Sequence, residues 1–282
     1  MKIIDKNFWR DKKVFVTGHT GFKGAWLIFI LNSFGAKVTG YALEPKTPNL
    51  YTLIKGEKFA HSVTGDVRDL SKLQRAFDEC QPEIVFHLAA QPIVFEGYKN
   101  PTLTYSTNVM GTVNILECVR KSSTVKSFLN VTTDKVYRNN DWVWSYREDD
   151  LLDGKDPYSN SKSCSELVTN CYRQNFFEDN VAISTARAGN VIGGGDFAEF
   201  RIIPDCVRAA LSGEKILVHN PDSIRPYQHV LDALFAYMMI AEAQYLDVKF
   251  AGSYNVGPSE SDNLTTGALA EIFCENWGEG LT

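Results

Sequence analysis

The stretch VFVTGHTGFKG at residues 14–24 decides the fold of this chain. It begins with a short apolar run that is typical of a buried strand and continues as Gly-x-x-Gly-x-x-Gly. Glycine lets the backbone turn tightly and approach a pyrophosphate, which then binds at the N-terminus of the next helix. Because the motif lies between a predicted strand and a predicted helix, it indicates a dinucleotide-binding loop. The residues assigned to that loop are Gly18, His19, Gly21, Phe22, Lys23 and Gly24.

Strand-like and helix-like runs alternate from this loop to residue 187. Apolar strands are predicted at 37–42, 61–64, 83–88, 128–133 and 182–187, with helices near 22–34, 71–79, 102–120 and 158–177. Such alternation predicts an α/β fold, a Rossmann-type doubly wound parallel sheet with helices on both faces.

The alternation loosens after residue 187. A helix near 204–211, a strand near 216–218, a helix at 230–244 and a strand at 254–256 are predicted there. We therefore expect an NAD-binding Rossmann domain over 1–187, with later strands near 216–257 interleaved in its sheet. A smaller C-terminal substrate-binding lobe is expected over 188–282.

Further cofactor contacts are expected where the predicted strands end. Glu44 follows the second strand, where a carboxylate accepts hydrogen bonds from the adenine-ribose hydroxyls and repels a 2′-phosphate. It favours NAD over NADP, although the nearby Lys46 weakens that preference. Asp66, after the third strand, is a candidate acceptor for the adenine amino group. The other predicted contacts are small or apolar: Val67, Leu88, Ala89 and Ala90.

A second motif, Tyr158-x-x-x-Lys162, predicts a site that oxidises an alcohol. The spacing puts both side chains on one helical face, one turn apart. A lysine ammonium favours phenolate, so we expect the pKa of Tyr158 to lie below its reference of about 10. The same spacing occurs at 51–55 and 245–249, but only Tyr158 follows a predicted strand and opens a long helix. We interpret the other two tyrosines as surface residues.

The run Thr132-Thr133-Asp134-Lys135 closes the strand that precedes this helix. Its aspartate and lysine provide an acceptor and a donor that a plain alcohol oxidation does not need. The sequence therefore predicts a hydride-transfer site with an additional acid–base pair beside it.

The composition argues against several functional classes. A net charge of −5 provides no polycationic surface, so neither nucleic acid nor a membrane is expected as a main partner. No uncharged apolar stretch reaches about 18 residues, and the N-terminus has no long apolar segment with a cleavage site. The six cysteines contain no Cys-x-x-Cys pair, which predicts reduced buried thiols, no metal site and a cytoplasmic protein.

Together these motifs resemble the extended short-chain dehydrogenase/reductase superfamily. Within it the chain is most similar to nucleotide-sugar 4,6-dehydratases, in particular those that act on CDP-glucose. The resemblance runs from about residue 12 to the C-terminus. It rests on the glycine loop and on the motifs TDKVY at 133–137, YSNSK at 158–162, RAGNVIGGGD at 187–196 and RPYQHV at 225–230.

The resemblance implies a reaction in three stages with NAD as cofactor. Tyr158 takes the proton of the glucose 4-hydroxyl while C4 gives hydride to NAD, Lys162 holds the nicotinamide ribose, and Thr133 hydrogen-bonds the 4-oxygen. The new ketone acidifies C5–H, a base removes that proton, and Asp134 protonates the departing 6-hydroxyl. Hydride then returns to C6 and gives a 4-keto-6-deoxy sugar nucleotide.

Two residues depart from the broader family pattern. Lys135 stands where the pattern has glutamate, and two roles stay open: a neutral base for C5, or a cation that stabilises the enolate. His19 replaces a small or apolar residue, and we hypothesise that it crowds the pyrophosphate and weakens NAD retention. Family members usually continue well beyond residue 282, so an incomplete C-terminal lobe is expected.

Asn190, Arg201 and Arg225 are the expected contacts of the nucleotide-sugar substrate, because the arginine fork meets phosphate oxygens in two places. Arg201 is equally consistent with a surface residue, and residue chemistry alone does not select cytosine over other bases. The resemblance also implies a homodimer in which the helices near 102–120 and 158–177 pack into a four-helix bundle. The apolar faces of these helices could equally cover the sheet.

Two other functions fit part of the pattern. A sugar-nucleotide C4-epimerase shares the glycine loop and the Tyr–Lys pair but does not need Asp134 and Lys135. A catalytically silent NAD-binding protein would share the loop alone, and the intact set of Thr133, Tyr158 and Lys162 argues against it.

Overall fold

Strands and helices alternate along residues 4–177 and 180–278, which the computed structural model describes. The strands in chain order are β1 (Lys13–Thr17), β2 (Lys37–Ala42), β3 (His61–Thr64), β4 (Ile84–His87), β5 (Ser127–Val131), β6 (Ala182–Ala188), β7 (Asn190–Ile192), β8 (Ile224–Arg225), β9 (Tyr227–His229), β10 (Ser253–Val256) and β11 (Leu264–Thr265). The α-helices are α1 (Lys6–Trp9), α2 (Phe22–Ser33), α3 (Leu50–Leu53), α4 (Leu70–Cys80), α5 (Val94–Lys99), α6 (Pro101–Tyr105), α7 (Gly111–Lys121), α8 (Pro157–Asn175), α9 (Ile202–Ser212), α10 (Val230–Leu246) and α11 (Thr266–Trp277).

The central sheet has seven strands in the order β10-β6-β5-β4-β1-β2-β3 among the described residues. Every neighbouring pair in it is parallel. The middle strands β4, β5 and β6 are buried along their whole length, as expected for a parallel sheet covered on both faces. The predicted doubly wound Rossmann-type sheet is confirmed.

Two hydrophobic cores cover the two faces of this sheet. One core joins α2 and α10 to the strands through Leu27, Ile28, Leu234 and Met238. The other joins α4 and α7 to the opposite face through buried residues such as Phe77 and Ile115. Both cores are built from positions far apart in the chain, so they pack the helices onto the two faces of the sheet.

The long helix predicted near 102–120 is interrupted. Helices α6 and α7 are joined by a π-helical segment, Ser106–Met110. The wider turn carries the buried Asn108. Its side chain accepts a hydrogen bond from the backbone nitrogen of Gln91 at 2.8 Å and donates one to the Ser161 hydroxyl at 2.9 Å. Such single π turns frequently occur at functional sites. Here the turn ties the end of β4 to the helix that carries Tyr158.

The residues after β6 divide between the large sheet and smaller pieces. Strand β10 extends the large sheet beside β6, while β7 pairs with β9 and β8 pairs with β11 in two small sheets. The strand predicted near 216–218 is wrong, because this apolar run lines the cleft described below and pairs with no strand of the described chain. The domain division at residue 187 stays a prediction, and residues 279–282 lie outside the described residues.

Two smaller predictions also need correction. Tyr51 is buried, with its ring edge-on to His19 at 5.3 Å, and Tyr245 is half-buried, so neither is a plain surface residue. All six cysteines are free, but Cys171 is exposed and only Cys118 and Cys206 are buried. The prediction that all six thiols are buried is therefore wrong.

No helix within 4–177 or 180–278 combines the length and apolarity needed to cross a bilayer.

Candidate active site

A cleft of about 670 Å³ opens at the carboxyl ends of β1, β4, β5 and β6, between the large sheet and the smaller pieces. Ligands bind at this edge in open α/β sheets. Twelve of the predicted site residues line the cleft: Phe22, Lys23, Leu88, Ala90, Thr133, Asp134, Lys135, Tyr158, Lys162, Asn190, Arg201 and Arg225. The tertiary structure thus brings together residues that are up to two hundred positions apart in the chain.

Two glycines of the glycine loop are packed too closely to carry a side chain. Gly18 has φ +75°, and a Cβ there would lie 2.7 Å from the Ala89 nitrogen. A Cβ on Gly24 would lie 2.1 Å from the Gly18 carbonyl oxygen. Gly21 is the N-cap residue of helix α2 and provides no side-chain cap, which leaves the first N–H groups of the helix available to an anion. The loop therefore fits the pyrophosphate of a dinucleotide.

The side chain of His19 is buried beneath this loop. Its ring is fully buried, Nε2 lies 2.7 Å from the Ser62 hydroxyl, and the ring occupies the space that a Cβ on Gly40 would need. Burial lowers the pKa of His19 to about 4, so the ring is neutral. The ring contacts β2, β3 and Tyr51 of α3. Weaker NAD retention through His19 stays a prediction. The ring would act on the cofactor through the way it packs the glycine loop.

Two predicted ribose and adenine contacts stand at the far end of the same sheet edge. Glu44 is exposed and accepts from the Thr64 hydroxyl at 2.7 Å. Asp66 binds the Arg68 guanidinium through both carboxylate oxygens, and this pairing lowers its pKa. The Val67 side chain is buried against Gly111, while its carbonyl accepts from Asn114. These residues stay predicted cofactor contacts.

Helix α8 presents Tyr158 at its first turn. Asp156 caps the helix by accepting from the Tyr158 and Ser159 nitrogens at 3.0 Å each. The expectation of a lowered tyrosine pKa is wrong for this structure, because burial raises the pKa of Tyr158 to about 12. The Thr133 hydroxyl and the Arg201 guanidinium oppose that rise, and the Asp134 carboxylate adds to it. Desolvation of the phenol therefore outweighs the neighbouring cations.

Lys162 is buried one turn further along α8. Its Nζ donates to the Val131 carbonyl at 3.1 Å, so the ammonium is held against the end of β5. Burial lowers the pKa of Lys162 to about 8, and the carboxylate of Glu166 partly opposes this. The lysine charge thus depends on a glutamate that the sequence reading did not single out.

Glu166 is the centre of a buried polar network. It accepts from the hydroxyls of Thr132 and Thr185 and forms an ion pair with Arg187 at 2.8 Å. Arg187 in turn donates to the Tyr137 hydroxyl and the Glu148 carbonyl, each at 2.7 Å. The network connects α8, β5 and β6 to the residue that follows the Thr-Asp-Lys turn. It holds that turn in position relative to Tyr158 and Lys162.

The predicted acid–base pair forms a 3-10 turn, Asp134–Val136, at the end of β5. Thr133 caps the turn and donates to the Asp134 carboxylate at 3.0 Å. Burial raises the pKa of Asp134, against the lowering effects of Lys135, Thr133 and Arg225. A raised pKa favours the protonated carboxyl that a general acid requires. Lys135 is exposed and lines the cleft beside it.

Cationic side chains converge on the other wall of the cleft. Arg201 forms an ion pair with Asp196 at 2.9 Å, and Arg225 is exposed on β8. Lys23 lies within 3.4 Å of the Tyr237 hydroxyl, and its pKa is lowered to about 7 by burial, Arg201 and Lys162. Such a cluster suits a ligand that carries several phosphate charges.

The sequence reading missed residues that support the site from behind. Glu166 was recognisable in principle, because positions 158, 162 and 166 follow one helical face at successive turns. Asn108 and the buried His87, whose Nδ1 lies 2.7 Å from the Thr17 hydroxyl, had no such signal. Their roles depend on contacts with distant segments.

Known proteins match this chain along most of its length. CDP-glucose 4,6-dehydratase of Salmonella typhimurium is 47% identical over 98% of this chain and 79% of that protein. A dTDP-glucose 4,6-dehydratase of Xanthomonas campestris is 28% identical over 88% of this chain and 72% of that protein.

Solved structures share the fold. A UDP-glucose 4-epimerase of Thermus thermophilus in complex with NAD has a TM-score of 0.81 at 24% identity, over 95% of this chain and 85% of that one. A dTDP-glucose 4,6-dehydratase of Bacillus anthracis in complex with NAD has a TM-score of 0.76 at 23% identity, over 95% of this chain and 83% of that one. The GDP-mannose 4,6 dehydratase family model matches residues 15–267. The chain belongs to the GDP-mannose 4,6-dehydratase family.

Proposed function

We propose that this protein is an NAD-dependent CDP-glucose 4,6-dehydratase that forms CDP-4-dehydro-6-deoxyglucose and water. The convergence of a buried Tyr–Lys pair and a carboxyl with a raised pKa in one cleft carries this proposal. The Tyr158–Lys162 pair serves the oxidation, and the Asp134 carboxyl serves the elimination. The Salmonella relative supports the choice of CDP-glucose, because its identity to this chain extends over nearly the whole chain.

The first step is oxidation at C4 of the glucose. Tyr158 accepts the proton of the 4-hydroxyl as hydride leaves C4, and Thr133 hydrogen-bonds the 4-oxygen. A buried phenol is a poor base, so the charge of Lys162, held at Val131, is needed to favour phenolate in the reacting complex.

The second step is loss of water across C5 and C6. The C5 proton is removed, the C5–C6 double bond forms, and the 6-hydroxyl leaves as water after it receives a proton from Asp134. Protonated Asp134 is favoured by its burial at the cleft wall. Lys135, exposed beside it, either removes the C5 proton as a neutral amine or stabilises the enolate as a cation.

NAD is the cofactor that the glycine loop accommodates. When bound, it accepts the C4 hydride and returns it to C6, while C5 regains a proton, so the net change is loss of one water. Gly18, Gly21 and Gly24 would hold its pyrophosphate at the start of α2, and Glu44 would bind the adenine ribose. The close backbone packing at Gly18 and Gly24, which only glycine permits, supports the assignment.

The substrate diphosphate is assigned to the cationic wall. Arg201 and Arg225 would bind its oxygens, and Asn190 at the start of β7 would contact the nucleotide sugar. Ion pairing with Asp196 fixes the orientation of Arg201 in the cleft. This pairing favours a binding role over that of a freely moving surface arginine.

We also infer a cytoplasmic homodimer that supplies deoxyhexoses for O-antigen and other lipopolysaccharide synthesis. Tyr105, Met110 and Leu167 are exposed apolar residues on the two helical segments proposed to form the interface. Tyr105 donates to Asn160 of α8 at 2.8 Å, so the two segments form one surface. The free thiols are consistent with a reducing compartment.

The test is mass spectrometry of CDP-, dTDP-, UDP- and GDP-glucose after incubation with the protein and NAD. Loss of one water from CDP-glucose alone supports both reaction and nucleotide. An unchanged mass with an isomerised sugar would identify an epimerase instead. No change in any substrate would favour a silent NAD-binding protein. A Tyr158→Phe variant is the matched control, because it removes only the hydroxyl that accepts the proton.

A further inference from the structure

Two exposed phenylalanines meet across the mouth of the cleft. Phe95 lies on α5 and Phe200 lies in the loop before α9, and their ring centroids are 5.2 Å apart at an interplanar angle of 47°. Both residues line the cleft, yet 50% of Phe95 and 66% of Phe200 is exposed. The pair therefore bridges two separate walls of the cleft at its surface.

The backbone at Phe200 is held in an unfavourable conformation. Its φ is +62°, in the left-handed region that glycine and asparagine tolerate and bulky residues rarely adopt. Strain of this kind persists where the surrounding structure needs a particular geometry. The next residue, Arg201, enters the cleft and pairs with Asp196. The turn at Phe200 thus directs its ring toward Phe95 and the guanidinium of Arg201 into the cleft.

The position of α5 places this bridge near the reacting sugar. A Cβ on Gly97 would lie 3.3 Å from the Tyr158 nitrogen and 3.6 Å from the Pro157 Cβ. Helix α5 therefore packs directly on the start of the catalytic helix. Phe95, two residues earlier on α5, belongs to the cleft wall beside Tyr158.

We propose that Phe95 and Phe200 form an aromatic clasp that closes the cleft over the sugar and retains the oxidised intermediate between the two hydride transfers. The inference rests on the proposed dehydratase reaction, in which the ketone must stay beside the reduced cofactor until hydride returns. An apolar contact excludes water from the site and parts for product release without breaking a hydrogen bond. The clasp is a retention device, and neither ring takes part in proton transfer.

The test uses Phe95→Ala, Phe200→Ala and the double variant in the enzyme loaded with NAD. Escape of the ketone would leave reduced cofactor stranded on the protein, which absorbance of the reduced nicotinamide reports. We expect stranded cofactor per product formed to rise about tenfold in the double variant, with CDP-glucose dissociating several-fold faster in stopped flow. The initial oxidation rate should change less than about twofold, because the proton acceptor is untouched.

The chain offers a matched control. Phe29 and Phe59 form another aromatic pair with a centroid distance of 5.2 Å, and Phe29 is also exposed, but neither lines the cleft. Phe29→Ala should leave both readouts unchanged.

Phe200→Gly distinguishes the effect of the ring from that of the strained backbone. It removes the ring and also relieves the strain, because glycine accepts φ +62° without strain. If the ring acts as proposed, this variant strands cofactor as Phe200→Ala does. Unchanged stranding and dissociation in the double variant of an active enzyme would overturn the clasp alone. A wild type that dehydrates no nucleotide sugar would instead overturn the proposed function, on which the clasp depends.

Discussion

Glu166→Gln tests how far a buried charge controls the Tyr158–Lys162 pair. The substitution keeps the side-chain size but removes the negative charge opposite Lys162 and Arg187. The Arg187 and Glu166 side chains are only 3% and 2% exposed, so the arginine would lose its buried counter-charge. Removing one partner of such a pair destabilises a protein by about 3–5 kcal/mol. For a chain of this size the melting temperature should fall by about 10 °C.

The same change should also alter the pH dependence of catalysis. The charged or titratable groups that influence Lys162 are Glu166 on its own helix, His87 on β4 and Lys23 on α2. Burial holds the pKa of His87 at about 3, so this histidine is neutral and does not replace the lost carboxylate. Without Glu166 the pKa of Lys162 falls below about 8, and its ammonium is lost at lower pH. The alkaline limb of kcat/KM should therefore move to lower pH.

The size of the rate effect follows from Coulomb's law. Charges one helical turn apart, about 6 Å, interact by about 3 kcal/mol at an effective dielectric constant near 20. An interaction of about 3 kcal/mol corresponds to a change of about two units in the pKa of Lys162, and therefore to a rate about a hundredfold lower on the alkaline limb.

The assay measures kcat/KM for CDP-glucose across about pH 6 to 10, well below the melting temperature of the variant. Glu117→Gln is the matched control, because it removes a glutamate that pairs with Arg120 at 2.8 Å on a neighbouring helix near the surface. It should leave the pH profile in place. A uniform rate loss in Glu166→Gln with an unmoved alkaline limb would show that Glu166 only stabilises the fold, and the electrostatic reasoning would be wrong.

Four further results are expected. Asp134→Asn should stop the reaction after C4 oxidation, with a loss of about 10²–10⁴ in product formation and an accumulation of reduced nicotinamide that absorbance detects; normal turnover would exclude Asp134 as the acid. Glu44→Ala should narrow the preference for NAD over NADP by about tenfold in binding titrations, because the repulsion of a 2′-phosphate is removed. Leu167→Glu should shift the protein toward monomer in sedimentation, because it places a charge at an exposed apolar position of the proposed interface. Folding lowers the pKa of His19 from 6.5 to about 4. The neutral ring therefore contributes about 3 kcal/mol to the free energy of unfolding above pH 6.5, and this contribution is lost as the pH falls toward 4. In a His19→Asn variant the free energy of unfolding should fall less steeply as the pH is lowered.

Local pattern was sufficient to predict the sheet and to single out the residues proposed for the central chemistry. The glycine loop, the alternation of strands and helices and the Tyr158–Lys162 spacing all follow from short-range geometry. A helical turn or a tight βα loop places near neighbours in the same way in any protein. The family motifs then directed attention to Thr133 and Asp134, and the structure gathers these residues in one cleft.

The prediction was wrong where the outcome depends on distant neighbours. The apolar run at 216–218 has the composition of a strand, but no strand of the described chain lies beside it, and strand formation needs a partner. Tyr51 has the same spacing to a lysine as Tyr158, yet it packs against His19 beneath the cofactor loop. Its burial depends on a chain crossing that no local pattern records.

The sequence by itself determined which residues are proposed to carry the chemistry, because helical periodicity and loop geometry are local. Only the tertiary structure decided their protonation and their enclosure. The pKa of Tyr158 is raised because segments distant in the chain exclude water from its hydroxyl. The Glu166–Arg187 pair joins a helix to a strand, and the Phe95–Phe200 pair joins two walls of the cleft. Desolvation and long-range contact depend on everything that packs around a group, so they emerge only when the chain has folded.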